Sequence, residues 1–165
     1  MLVYHGSTQV VEQPLILESA RMLDFGKGFY TTMNREQAIL WAEKVAIRRR
    51  TDSRHLSIYE FDLEQAKREL RVLCFNEADA SWLDFVTTCR SGRKPPQAYD
   101  IAVGPVADDN VYATLQLYEQ GLFTKEDALK RLKIEALYNQ ILFHTDRALE
   151  FCKFKHSEAL SKETR

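Results

Sequence analysis

A chain of 165 residues is close to the commonest size of a single folded domain, so we expect one hydrophobic core built from two packed layers. Hydrophobic residues make up 45% of the chain and charged residues 28%, proportions that exclude a disordered or linker-rich protein. The formal net charge of −1 excludes an overall field that would draw the protein onto nucleic acid or an acidic membrane, so any such contact must be local.

The first third of the chain predicts two strands followed by a helix. Leu2–His5 is short, apolar and β-prone, and a Gly-Ser-Thr turn follows it. The stretch 24–32 places two glycines beside aromatic and β-branched residues, which indicates an irregular turn leading into a strand. Asn34 and Gln37 have the spacing of a capping box, so a helix should begin there and end at the arginines 48–50. The side chains at helical spacing are Ala38, Trp41, Ala42 and Val45.

The middle of the chain predicts two more strands and two more helices. Residues 55–63 alternate as a strand does, and 70–75 is a short apolar strand, with a brief helix between them at 64–69. Residues 78–90 carry apolar side chains at helical spacing until a glycine and two prolines interrupt them. The apolar run Tyr99–Val103 then predicts a buried strand.

The last third predicts two helices and then two strands. One helix spans 110–120, and the next begins after Thr124, with Asp127 at its third position. Leu137–Phe143 and Ala148–Phe154 are apolar or alternating segments separated by a short polar stretch. A hairpin or a pair of adjacent strands is therefore expected there.

These elements predict one mixed α+β domain over residues 1–156, followed by a polar tail at 157–165. Because no run approaches the roughly 20 apolar residues of a membrane span and no leader pattern opens the chain, we expect a cytoplasmic protein without membrane contact. The cysteines, Cys74, Cys89 and Cys152, have no zinc-ligand spacing, so buried, reduced thiols and no metal site are expected.

Three short motifs lie at the ends of predicted strands. They are Tyr4-His5-Gly6-Ser7, Phe25-Gly26-Lys27-Gly28-Phe29-Tyr30 and Tyr138-Asn139-Gln140-Ile141-Leu142-Phe143, and Trp41 follows Tyr30 by eleven residues. Taken singly, a histidine at a strand end or an aromatic residue beside a turn is more often structural than functional. The glycine pair opens like a dinucleotide fingerprint, but no third glycine begins a following helix, which excludes a Rossmann site.

In this order the motifs resemble those of the ADP-ribosyltransferase superfamily of the histidine-tyrosine-glutamate type, which includes the catalytic domains of poly(ADP-ribose) polymerases. More narrowly, the chain resembles a bacterial, toxin-like family of unassigned function in which glutamine replaces the glutamate. The resemblance implies an α+β fold with a split antiparallel β-sheet core and flanking helices. It also implies NAD as a consumed substrate and no metal.

The resemblance further implies roles for individual residues. His5 would hydrogen-bond a ribose hydroxyl in the adenosine half of NAD. The unhindered backbone of Gly6 would approach the nicotinamide carboxamide, and Tyr30, aided by Trp41, would stack on the cationic nicotinamide ring. The remaining residues expected to bind NAD are Ser7, Gly28 and Phe29.

Gln140 stands where the resemblance implies a carboxylate. Breaking the bond between nicotinamide and ribose gives an oxocarbenium-like sugar, which an anion would stabilise, whereas an amide can only accept a hydrogen bond and orient a hydroxyl. The catalytic residues implied are thus Gln140, His5 and Tyr30. Carboxylates that could substitute for the missing charge are Asp24, Asp100, Asp108, Asp109 and Asp146. Asp108 and Asp109 are equally a helix-start signal. His144 could reach the same cleft or form a structural hydrogen bond.

The resulting expectation is an NAD-dependent mono-ADP-ribosyltransferase that releases nicotinamide and acts on an unknown acceptor, which could be a protein, a nucleic acid or a small molecule. It could be the toxin of a toxin–antitoxin pair, with a small antitoxin protein as partner. The alternative is an NAD-binding module or NAD glycohydrolase with little or no transferase activity. The basic run 48–50, with Arg54, could hold a phosphate or a nucleic-acid acceptor, but a solvated helix end is the commoner meaning of such a run.

Overall fold

The computed structural model describes residues 1–17, 23–106, 109–133 and 139–161, which form an α+β architecture. The strands are β1 (Leu2–Ser7), β2 (Phe29–Thr32), β3 (His55–Glu60), β4 (Val72–Cys74), β5 (Ile101–Pro105), β6 (Asn139–Phe143) and β7 (Lys153–Ala159). The helices are α1 (Arg35–Arg49), α2 (Leu63–Glu69), α3 (Ala80–Arg90), α4 (Asp109–Glu119), α5 (Lys125–Leu132) and α6 (Asp146–Leu149). Among these described helices, none has the length and apolar content that crossing a membrane requires.

All of these strands join one sheet in the order β4-β5-β6-β2-β1-β3-β7. β4 and β5 run parallel, and the other neighbouring pairs are antiparallel. β6 lies between β5 and β2 and pairs with both of them. As a result β6, β2 and β1, which carry the three motifs, lie side by side at the centre of the sheet.

A seam divides the sheet between β1 and β2. These two strands are in register at one pair, Tyr4 with Thr32, whereas β1 and β3 are paired from Leu2 with Glu60 to Ser7 with His55. Two better-connected groups, β4-β5-β6-β2 and β1-β3-β7, therefore meet along a short line of contact at the middle of the domain.

The helices divide unequally between the two faces of the sheet. On one face α3, α4 and α5 pack over β5 and β6 around Leu142, and α1 packs over β1 and β3 through Ala38. On the other face α2 and α6 cover a core that includes Val3, Phe29 and Phe143. The first face, with α1 at one side and the α3–α5 layer at the other, leaves β2 and β6 between them.

The carboxyl-terminal hairpin predicted from the sequence is wrong. Asp146–Leu149 form α6, because the side chain of Thr145 accepts a hydrogen bond from the amide of Ala148 at 3.2 Å and so caps a helix. β7 pairs with β3 at one edge of the sheet and is separated from β6 by three strands. It also runs past the domain boundary predicted at residue 156, since residues 157–159 pair with His55–Ser57 of β3.

The cysteine prediction holds for two of the three thiols. Cys89 and Cys152 are buried, and burial raises their pKa to about 11 and about 12. Cys74 is instead exposed, because β4 is an edge strand of three residues with nothing paired on its outer side. No cluster of potential metal ligands occurs within the described ranges.

Candidate functional site

His5 bridges the seam between β1 and β2. Its Nδ1 donates a hydrogen bond to the carbonyl of Tyr30 at 2.8 Å, and its ring packs on Phe29 with 4.5 Å between centroids. Because Nδ1 carries the proton, Nε2 of the neutral ring is an acceptor, and it has no partner in the described part of the chain. Burial lowers the pKa of His5 below its usual 6.5, and the hydrogen bond to Tyr30 offsets only part of that shift.

The lowered pKa of His5 makes folding stability depend on pH. Since the unfolded chain binds the proton more tightly, the contribution of His5 is fully present above pH 6.5 and is lost as the pH falls from 6.5 towards the lower folded-state pKa. We expect wild type to lose more stability than His5→Gln between pH 7.5 and 5.5 in urea unfolding. His156→Gln, at an exposed histidine, is the control and should follow wild type. Parallel losses in wild type and His5→Gln would contradict this role.

Tyr30 is held by the turn that precedes β2. Its hydroxyl donates to the carbonyl of Gly26 at 2.6 Å and accepts from the amide of Phe25 at 3.2 Å. Burial raises the pKa of Tyr30 well above its usual 10, so the ring carries no charge at neutral pH. Register places Tyr30 beside Leu142 on the face covered by α3–α5, with one side of the ring packed on that core.

Gly28 and Phe29 serve the packing of β2. A Cβ at Gly28 would lie 2.4 Å from both Leu142 Cδ1 and the carbonyl oxygen of Phe143, so only glycine fits. The ring of Phe29 is buried on the opposite face and meets Tyr59 edge-on at 5.6 Å. Neither residue exposes a side chain to a ligand, although Gly28 fixes the strand that carries Tyr30.

Gly6 is the point at which α1 crosses β1. A Cβ there would lie 1.9 Å from the carbonyl oxygen of Ala38 and 2.9 Å from the amide nitrogen of Ala42. The helix backbone therefore rests directly on the strand. Ser7, next along β1, is buried, and its hydroxyl makes no hydrogen bond with any described residue.

Trp41 lies on the edge of α1 that faces β2. One turn earlier on the same edge, the side chain of Gln37 accepts a hydrogen bond from the hydroxyl of Thr32 in β2 at 2.6 Å. Trp41 is 49% exposed, and the guanidinium of Arg48 stacks over it at 4.9 Å from the ring centroid. The ring is thus a wall beside the sheet and already holds a cation on one face.

Gln140 is the second residue of β6 and lies on the same face of the sheet as Tyr30. It pairs with Thr32 on one side and Gly104 on the other, and only 6% of it is exposed. Its side-chain nitrogen is buried and has no hydrogen-bond partner. An orphaned amide costs roughly 1–3 kcal/mol, so this position is unexplained by folding alone.

Two of the carboxylates that could substitute for a glutamate form structural contacts with other residues instead. Asp24 forms an ion pair with Arg90 at 3.2 Å. Asp100 accepts hydrogen bonds from the backbone and side chain of Arg71 and from the hydroxyl of Thr145. Burial alone would raise the pKa of Asp100, but these hydrogen bonds outweigh it and lower the pKa.

The other candidates do not add a charge beside Gln140. Asp146 lies in the first turn of α6, on the far face of the sheet. Asp108 and the side chain of Asp109 lie outside the described residues. His144 donates a hydrogen bond through Nδ1 to the carbonyl of Lys27, which is the structural alternative considered for it.

These positions share one face of the sheet between two groups of helices, and we call this region the central groove; Thr32 and Gln140 are buried within it. Its floor is formed by Tyr30, Thr32 and Gln140, one wall is the Trp41 edge of α1, and the other wall is the α3–α5 layer. Strand alternation sends His5 to the opposite face, so it meets the groove only through the carbonyl of Tyr30. Sequence reasoning missed Thr32, whose hydroxyl joins the floor to α1 and also bonds the carbonyl of Asn139 at 3.0 Å.

A separate cavity of about 820 Å³ lies between α2, α6 and the start of β7. Charged side chains dominate its lining, including Glu64, Glu69, Arg147 and Lys153. It contains none of the candidate NAD-binding residues predicted from the sequence, and acidic side chains outnumber basic ones in its lining.

Comparison with known proteins finds a match to a protein family. No curated protein and no solved structure matches the chain. A family described as "Protein of unknown function (DUF3990)" matches residues 1–154, which include all three motifs, the seam and the central groove. The chain therefore belongs to the DUF3990 family of proteins of unknown function.

Proposed function

We propose that the protein binds NAD in the central groove and transfers one ADP-ribose unit from it to an acceptor. The observation that carries the proposal is the buried amide of Gln140, which has no hydrogen-bond partner and lies on the same face of the sheet as Tyr30 of the neighbouring strand β2. A partner from outside the chain would remove the cost of that amide. The seam between β1 and β2 also agrees with the split sheet that the resemblance implies.

The residues of the groove fit the chemical groups of NAD. Tyr30 and Trp41 offer neutral aromatic faces to the cationic nicotinamide ring, and Trp41 already holds the Arg48 guanidinium in this way. His5 acts from the opposite face of the sheet, where its hydrogen bond to the carbonyl of Tyr30 fixes the strand that carries the ring, and Ser7 lies on that opposite face as well. Gly6 keeps α1 close against β1 and so sets the width of the groove.

The reaction breaks the bond between C1′ of the ribose and the nicotinamide nitrogen, and the electron pair leaves with nicotinamide. A nucleophilic atom of the acceptor forms the new bond to C1′ with inversion and loses its proton to solvent. The unpaired side-chain N–H of Gln140 donates to a ribose oxygen but supplies no charge to the oxocarbenium-like sugar. We therefore expect slow single transfer rather than chain elongation, with NAD binding alone as the second candidate.

NAD binding measured by calorimetry, with nicotinamide release followed in the same samples, tests the proposal. Trp41→Ala should weaken NAD binding by about tenfold, because a stacked, partly desolvated cation on an indole contributes about 1–2 kcal/mol. Leu40→Ala, at a 58% exposed neighbour on α1, is the matched control and should bind as wild type does. A folded wild type that gives no binding heat would refute the proposal, and equal weakening in both variants would place the effect in α1 rather than in the ring.

A further inference from the structure

Four arginines gather where α1 ends and β1 runs out, and we call them the arginine patch: Arg48, Arg49, Arg50 and Arg54. Arg49 donates from its guanidinium to the hydroxyl of Thr8 at 2.8 Å, and Ser53 donates to the carbonyl of Thr8 at 2.8 Å. Thr8 therefore ties the end of α1 to the segment that carries Arg54. The patch adjoins the central groove, since Arg48 stacks on Trp41.

The salt bridges formed among the described residues do not include the arginines of the patch. Among the same residues, the buried Nε of Arg54 has no hydrogen-bond partner. Arg90 provides the contrast, because it stacks on exposed Tyr112 at 4.6 Å but is paired with both Asp24 and Glu119. In a chain of net charge −1, this is a local concentration of unpaired positive charge.

Arg50 has a backbone conformation that is unfavourable for a residue with a side chain. Arg50 ends α1 in the left-handed conformation, with φ 53° and ψ 48°, a position at which helices usually have glycine. Among the described residues it is the one non-glycine residue with positive φ. Glycine would satisfy the helix end better, so the arginine side chain is the feature left to explain.

We propose that the arginine patch binds the phosphate backbone of a single-stranded nucleic acid, which is the acceptor of ADP-ribose. Arginines fit phosphate oxygens through paired N–H donors, and several of them around one end of α1 can hold successive phosphates of a polyanion. A single strand is favoured over a duplex because only an unstacked base can enter the groove beside buried Gln140. The acceptor role rests on the proposed function, whereas binding by the patch does not.

Binding of a fluorescently labelled single-stranded 12-mer, without NAD, tests the patch directly. Wild type should bind with a salt dependence of roughly −0.7 in log K per phosphate contact, about −3 for four arginines. Arg49→Gln with Arg54→Gln should lower the slope by about 1.4 and weaken binding about tenfold at 50 mM salt. Arg50→Gly should lower the slope by about 0.7 while its melting temperature stays equal to or above that of wild type.

The matched control removes two positive charges elsewhere, with Arg68→Gln and Arg93→Gln, and should bind the 12-mer as wild type does. An equal loss of affinity for the 12-mer in the control and in the Arg49/Arg54 variant would overturn the inference. Tighter binding of a duplex of the same length would overturn it as well. If the Arg49/Arg54 variant instead loses NAD affinity and keeps the 12-mer, the patch serves the diphosphate of NAD and the inference fails.

Labelled NAD separates the two claims. We expect wild type to transfer label to the 12-mer. The Arg49/Arg54 variant should transfer at least tenfold less while releasing nicotinamide at the wild-type rate, because water then takes the ADP-ribose and free labelled ADP-ribose accumulates. Binding of the 12-mer without any cleavage of NAD would leave the patch as a nucleic-acid site and overturn the acceptor role together with the proposed function. Transfer of label to protein but not to the bound 12-mer would overturn the acceptor role alone.

Discussion

Gln140→Leu should make the protein more stable and abolish nicotinamide release from NAD. Leucine keeps most of the volume of the side chain and removes the buried amide nitrogen that has no partner. Removing that desolvation cost should raise the free energy of unfolding by about 1 kcal/mol, measured by urea denaturation. A residue whose removal stabilises the fold but stops the chemistry is retained for function, a relation common at active sites.

Gln140→Glu is the companion variant. The carboxylate should raise the rate of nicotinamide release by about tenfold, equivalent to about 1.4 kcal/mol of transition-state stabilisation. Because burial disfavours the charged form, the gain should appear only as the pH rises through an elevated pKa. Release confined to the glutamate variant would identify the natural protein as an NAD-binding module. A loss of stability in Gln140→Leu would mean that the amide has a structural role.

Gly6→Ala should cause the largest loss of stability, about 3 kcal/mol in urea denaturation. The added methyl would lie 1.9 Å from the carbonyl oxygen of Ala38, an atom of the helix backbone that cannot rotate away. α1 must then move off β1, and since its edge forms one wall of the central groove, NAD binding should fall as well.

Gly121→Ala is the control for a glycine substitution without crowding. Gly121 has φ +75° but no atom within 4 Å of an added Cβ, so the cost is backbone strain alone, about 1 kcal/mol. If Gly6→Ala costs no more than Gly121→Ala, the close contact between helix and strand does not determine the stability of this region.

Local signals in the sequence were sufficient for much of the fold. Thr124 and Asp127 form the full capping box at the start of α5, with each side chain bonded to the other's backbone. Asn34 caps α1 through the amide of Gln37 at 2.8 Å, but the Gln37 side chain bonds Thr32 instead of completing the box. Signals of this kind depend on three or four neighbouring residues, which is why they can be recognised without a structure.

Features decided by distant parts of the chain could not be predicted. β7 pairs with β3, a strand roughly a hundred residues earlier in the sequence. No pattern in the neighbouring residues distinguishes this pairing from a hairpin with β6. Trp41 matches the helical spacing of a buried residue, yet only alanines fit beneath α1 because Gly6 brings the strand so close. Likewise, the sequence does not show that the side-chain nitrogen of Gln140 lacks a hydrogen-bond partner, because this depends on how distant residues pack around it.

β6 lies between β5 and β2, so the central groove can assemble only after this late part of the chain has been synthesised. Until residues 139–143 have been made, β4 and β5 have no strand through which to join β2, and the floor of the groove lacks Gln140. The strand that joins β5 to β2 is therefore the strand that carries Gln140. A nascent or truncated chain ending before it would hold His5 and Tyr30 but not Gln140, so the proposed NAD site requires that β6 has been made and has joined the sheet.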